Sequence, residues 1–230
     1  MDAILNSDGT FTVQEIEPLL ASPVVDTVEG TVVSIASQTQ FSIITSDIIP
    51  AATNSKINGL NMGDPLTVNL GLIAGSGFLT DTKGLPVGGA LAAFQGATDT
   101  TVIRPGQVVA VHVNTFTAAN GTTAAIANNV DTVTLRWSRF IANPVGASSP
   151  PLFQVNSMPG YFGFGNPVET FGAQIFLGAV GADGVTNLDG IANGGTVLVP
   201  TPPVGMRALY IENATNTFSP AFFAAKVRQH

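Results

Sequence analysis

Gly106-Gln-Val-Val-Ala-Val-His-Val-Asn114 reads as a β-strand entered through a glycine turn, and Gly205-Met-Arg-Ala-Leu-Tyr-Ile-Glu-Asn213 repeats its outline further along the chain. A glycine opens each run and an asparagine closes it at the same separation. A small-residue strand follows each, Thr123-Ala-Ala-Ile-Ala127 and Ala221-Phe-Phe-Ala-Ala-Lys-Val227. A strand ending in proline precedes each, Phe41-Ser-Ile-Ile-Thr45 running to Pro50 and Phe153-Gln-Val-Asn-Ser-Met158 running to Pro159. A pattern written twice means that each copy is one supersecondary unit.

Working outward, runs of Val, Ile, Thr and Phe alternate with polar residues and are bounded by Gly, Pro, Asn and Asp. They predict strands over 28–36, 40–49, 65–72, 107–117, 122–129, 131–141, 151–157, 171–179, 195–200, 206–213 and 221–228. Helical periodicity is nearly absent; 47–55 and 88–94 are the places where a helical turn fits. The fold class is therefore all-β, with a first module over 27–137, a second over 138–230 and an N-terminal strand segment over 1–26. Residues 130–145 hold no flexible spacer, so the last strand of the first module should run straight into the second, bending near Ser138, with the modules rigidly apposed. Trp137 is expected to pack between them. One irregularity is visible. Counted from the opening glycine, apolar positions are odd in the first copy (Val109, Val111, Val113) and even in the second (Leu209, Ile211). A one-residue offset turns a strand over, so either a bulge intervenes or the repeat is misaligned by one.

Of 230 residues, 45% are hydrophobic and only 10% charged, against roughly 25% charged in a typical soluble domain. The charge is too sparse to coat the outside, which points to a neutral extracellular surface or to a surface that meets another protein. The net charge of −7, with eight Lys plus Arg, argues against nucleic acid as a partner. There is no cysteine, which excludes disulfides, a thiol nucleophile and Cys-ligated zinc. Apolar runs are interrupted well short of the roughly 18 residues of a membrane helix, so no transmembrane segment is expected. Residues 1–10 lack the basic and apolar regions of a signal peptide. The composition favours an extracellular or cell-surface protein whose export signal is not present in this chain.

Four strings carry a resemblance: Gly30-Thr-Val-Val-Ser-Ile35, Thr39-Gln-Phe-Ser-Ile-Ile-Thr-Ser-Asp47, Arg104-Pro-Gly-Gln-Val-Val-Ala-Val111 and Pro220-Ala-Phe-Phe-Ala-Ala-Lys-Val-Arg228. Together they resemble a family of bacterial repeat modules of unknown function, often tandem in exported proteins of soil bacteria. The resemblance covers most of 27–230 and implies small five-stranded, OB-like barrels and an exported location. It supplies no functional residues, and this chain departs from the family in lacking an export signal and a lipid-anchor cysteine.

Candidate chemistry is thin. His112 sits in a Val-rich strand with no acidic residue within ten positions, and His230 is the last residue. Neither completes a Ser-His-Asp set, and no Gly-x-Ser-x-Gly elbow exists. No enzyme and no cofactor are expected. Asp183, Asn187 and Asp189, around glycine turns, are the candidate calcium ligands, although Val185 falls where an EF-hand needs a ligand and no terminal Glu follows; Asp-Gly and Asn-Gly are also hairpin dipeptides, and the turn reading is preferred. Tyr161, Phe162 and Phe164 lie in a Gly-rich loop and either stack on a ligand such as carbohydrate or plug a barrel end. Asn120-Gly-Thr122 and Asn213-Ala-Thr215 match the glycosylation pattern, a pattern common by chance.

The leading reading is a non-catalytic exported structural protein that associates with copies of itself as a homo-oligomer or homopolymer. The alternative is an extracellular carbohydrate- or ligand-binding β-module. Gly9-Thr-Phe-Thr-Val-Gln-Glu-Ile-Glu17 alternates like a closing strand and looks like the end of a further unit. It either folds back as an edge strand or adds to a neighbouring subunit through Phe11, Val13 and Ile16, giving a ring or filament.

Overall fold

The computed structural model describes residues 2–5, 8–15, 24–71, 77–81, 90–144, 152–157, 159, 162, 173–177, 187–189, 203–212 and 220–229. These are mostly strand, joined by one helical turn and a half, α1 (Ala90–Gln95), and a short 3-10 turn over Thr100–Val102. The all-β expectation holds.

Two strands, β1 (Asp2–Leu5) and β2 (Phe11–Glu15), form an antiparallel hairpin that pairs with no other strand among the described residues. The chain then lays down β3 (Asp26–Ser37), β4 (Gln40–Ile49), β5 (Pro65–Leu70), β6 (Phe78–Thr80), β7 (Val108–Val113), β8 (Thr115–Thr117), β9 (Ala125–Val130) and β10 (Val133–Arg136). These make one sheet in the order β6-β10-β7-β3-β4-β5-β9-β8, with β5 and β9 parallel. After Trp137 the chain enters a second sheet built from β11 (Ser138–Pro144), β12 (Leu152–Asn156), β13 (Ala173–Leu177), β14 (Asn187–Asp189), β15 (Val204–Glu212) and β16 (Pro220–Gln229). Its order is β13-β12-β11-β15-β16-β14, and β13 also pairs in parallel with β16.

The predicted strand 131–141 is thus two strands in different sheets, broken at Trp137, one residue from the predicted bend at Ser138. The predicted strand 107–117 likewise breaks at Asn114. The helical turn expected near 88–94 appears as α1, whereas 47–55 stays extended and bent. Strand 195–200 lies outside the described residues.

Local chemistry explains the tightest points. Pro105 and Gly106 occupy the centre of a turn closed by Gln107 N–H donating to the Arg104 carbonyl at 3.1 Å. Gly106 has φ +93°, the conformation a type II turn reserves for glycine after proline. Opposite Glu29 and Gly30 of β3, β4 bulges: Glu29 pairs with Asp47 and Gly30 with Thr45, leaving Ser46 as the extra residue. A Cβ on Gly30 would stand 2.5 Å from the Ile44 carbonyl oxygen, so only glycine lets the two strands close there.

The repeat is less literal than its sequence. Gly205 is not a turn glycine: it lies within β15, paired with Ile141 on one side and Arg228 on the other. The face offset has one cause: β15 is buried on both sides from Ala208 to Ile211, while the bulge opposite Arg207 and Ala208 puts its extra residue, Ala225, in β16 and leaves the alternation of β15 intact. Counted from Gly205, the residues that enter the second sheet's own core are Met206, Ala208 and Tyr210, odd like those of β7. Leu209 and Ile211 belong to the other face, and they join the buried cluster of the first sheet with Phe94, Ile103, Val109 and Trp137.

Candidate functional site

Several buried contacts meet at the join between the two sheets. β15 lies against α1, which is itself packed on β6 through the edge-on rings of Phe78 and Phe94, centroids 5.5 Å apart. Gln107, fully buried, crosses the join. Its Oε1 accepts from the Arg104 N–H at 2.8 Å, and its Nε2 donates to the Tyr210 carbonyl at 3.1 Å and the Val102 carbonyl at 3.3 Å. A buried amide so satisfied holds two backbones in register, because losing either partner leaves a polar group without water. Trp137, 8% exposed, packs in the same cluster as Leu209 and Ile211, and the Arg207 guanidinium stands 5.4 Å from its ring centroid. The expectation for Trp137 from sequence describes this position. Nothing in the sequence singled out Gln107; the available sign was a polar residue between a turn glycine and a valine run, with no nearby reason to be there.

Beyond the join, the second sheet closes on aromatic rings. Tyr210 stacks on Phe222 at 4.9 Å, and Phe162 meets Tyr210, Phe222 and Phe140 edge-on at 5.0–5.5 Å. The Tyr210 hydroxyl donates to the Phe162 carbonyl at 3.0 Å. Phe162 is 1% exposed, so this ring cannot stack on a sugar as the ligand-contact reading required. It is core for a physical reason: three rings already offer it edge and face partners. Tyr161 and Phe164 lie outside the described residues.

The remaining candidates separate in space. His112 sits on the outer face of β7, and its Nδ1 stands 3.8 Å from Asp131 Oδ1, both side chains exposed. Sequence distance hid that carboxylate, which the β10 side of the sheet brings round. Of the calcium set, Asp183 lies outside the described residues, while Asn187 and Asp189 are in β14, whose backbone pairs with Lys226 and Arg228 of β16. No group of three or more His, Cys, Asp or Glu side chains converges among the described residues. His230 and Ile16 lie outside them. Phe11 and Val13 are in β2, opposite Leu5 and Ala3. Phe11–Glu15 therefore does have a partner strand in its own chain, which the reading of a lone strand overlooked because Asp2–Leu5 is short. The turn is set by Asp8, whose Oδ1 accepts from the Thr10 N–H at 2.9 Å and hydroxyl at 2.6 Å.

Two polar clusters brace the first sheet. Asp26, 3% exposed, accepts from the Ala51 N–H at 2.8 Å and the Lys56 N–H at 2.6 Å, fastening the loop after β4 to the start of β3. Burial pushes this carboxyl up, but hydrogen bonds from Ala51, Ser55, Lys56 and Ile57 outweigh it and hold the pKa below the ordinary aspartate value. Arg136 joins Glu29 at 3.0 Å and Asp81, tying β10, β3 and the end of β6 together.

On the outward side of the same sheet, side-chain amides form a row across three strands. Gln40 Nε2 donates to Asn69 Oδ1 at 2.7 Å, and Asn69 Nδ2 donates to Asn128 Oδ1 at 2.7 Å. The next row is Ser42, Thr67 and Ile126, aligned by the strand pairings. All six are half-buried and none is ionisable. No helix among the described residues is long and apolar enough to cross a membrane. Comparisons with protein families, curated sequences and solved structures give no match.

Proposed function

We propose that the protein is a non-catalytic, exported structural protein made of two OB-like modules, which associates with further copies of itself through the β1–β2 hairpin. The modular part rests on the pairing order. In the second sheet the partners follow β11–β12–β13–β16–β15 and return to β11, with β13 and β16 parallel and the rest antiparallel. The first sheet contains the run β7–β3–β4–β5–β9 in the same sense, β5 and β9 being the parallel pair of that run. The exported location rests on a chain with only 10% charged residues.

The observation that carries self-association is the isolation of the hairpin. Among the described residues, β1 and β2 pair only with each other. A two-stranded hairpin is marginally stable by itself in water, and its outer edges present backbone donors and acceptors suited to a third strand. β8, three residues long at the end of the first sheet, is an edge of matching kind.

The test compares the full chain with a chain beginning at Val24, which spares the Asp26 clamp. Particle mass is followed by sedimentation over a range of concentrations. The expected result is a mass that rises with concentration for the full chain and stays monomeric for the shortened one. Equal masses for the two at every concentration reject association through the hairpin.

A further inference from the structure

We propose that the outward face of β4, β5 and β9 binds a neutral polysaccharide. The observation is the amide row Gln40–Asn69–Asn128, backed by the row Ser42–Thr67–Ile126, and it is independent of the hairpin. Each amide carries one acceptor oxygen and two donor hydrogens. The row consumes two of the oxygens and one hydrogen from each of two nitrogens. It thereby fixes three side chains that lose rotamer freedom before any ligand arrives, and it leaves the Gln40 oxygen and the remaining amide hydrogens for a partner. Ser42 and Thr67 add hydroxyls that both donate and accept. This inventory matches sugar hydroxyls, which also do both.

Charge narrows the ligand. The chain carries a net −7, yet these two rows hold no ionisable group, so a charged polymer finds no counter-ion here and gives up its hydration for nothing. A protein partner is the poorer fit, because interface centres are enriched in aromatics, Met and Arg, and these rows hold none of them. Ile126 at one end of its row, and Ile44, 37% exposed two residues along β4 from Ser42 at the other end, supply apolar ground for the C–H faces of sugar rings. The rows cross strands about 4.8 Å apart, so polar groups recur at regular steps along them. That suits a repeating chain better than a compact ligand.

The test is gel retardation of the full-length protein by soluble β-glucan, xylan, mannan and dextran. The parent is expected to be retarded by at least one, without sensitivity to added salt, since no ion pair is involved. Thr67→Arg and, separately, Gln40→Glu are expected to weaken that retardation about tenfold or more while melting within a few degrees of the parent; two variants guard against either one misfolding. Absence of retardation by all four polymers overturns the proposal. So does retardation that salt abolishes, or equal retardation of parent and folded variants. A fall in particle mass on Thr67→Arg, without any sugar effect, identifies the face as a contact between copies and likewise overturns it.

Discussion

β7 and β15 both lie inside their sheets, β7 between β3 and the four-residue β10 and β15 between β11 and β16, yet they are buried differently. In β7, Val109, Val111 and Val113 point into the core while Val108, Ala110 and His112 stay half-exposed. In β15 both faces are covered from Ala208 to Ile211, one by the ring cluster of its own sheet and the other by the core of its neighbour. Residues at equal distance from the opening glycine, His112 and Ile211 among them, differ accordingly. A strand that serves one core keeps its alternation; a strand shared by two cores loses it.

The widest break in this comparison comes from the ring cluster. Phe222→Ala removes a fully buried ring with three aromatic neighbours and is expected to cost about 3–5 kcal/mol. If β15 couples the cores, the single tryptophan, Trp137, must report the same shifted denaturation midpoint as far-UV circular dichroism. Separate midpoints would mean that the sheets unfold independently.

Leu209→Ala tests the other face, with an expected loss of about 2–5 kcal/mol. Its distinguishing sign is reduced hydrogen-exchange protection in β7 and β3 as well as in β15, because the vacated space belongs to the first core. Loss of protection confined to the second sheet would undo the shared-strand account.

Gln107→Leu strands the Arg104 N–H and the groups that Gln107 Nε2 serves, for about 1–3 kcal/mol by urea titration. Gln107→Glu keeps the acceptor for the Arg104 N–H but turns a buried carboxylate oxygen towards the Tyr210 and Val102 carbonyls, and is expected to cost more than Gln107→Leu.

Asp26 acts on the first sheet alone, and its contribution is lost in acid. Its folded pKa is depressed, so its contribution is present above the unfolded value of about 3.9 and disappears as pH falls through the folded value. Asp26→Asn is therefore expected to lower stability at neutral pH and to flatten the decline below about pH 4. An unchanged slope in the acid limb of the stability curve would contradict the clamp. His112→Ala, the smallest change, should stay within about 0.5 kcal/mol, whereas Ile211→Ala at the matching position should cost several times more.

Legibility followed the same division. Most strands could be read because period-two alternation survives wherever one face meets water, as in β4, β5, β7 and β9. The missing pieces are those whose pattern is set from outside the strand. β6 is three residues, too short for any period, and is fixed by pairing with β10. The offset in β15 was visible as an anomaly, but its meaning required the neighbouring core. The candidate residues fared likewise. Trp137 was legible as a large ring at a spacer-free connection. Phe162 was ambiguous because three aromatics in a glycine-rich loop read equally as platform or plug. The amide row was illegible, since Gln40, Asn69 and Asn128 come from three separate strands and none is unusual where it stands.

The passage from β10 to β11 through Trp137 alone has a mechanical meaning. One residue extends by no more than about 3.6 Å, so a pull along the chain finds no slack to take up between the sheets. Force reaching this point must shear Leu209, Ile211 and the indole out of their common packing together, rather than unwinding a tether first. Strung in series, such joints would resist stretch with a sharp yield instead of a soft elastic rise.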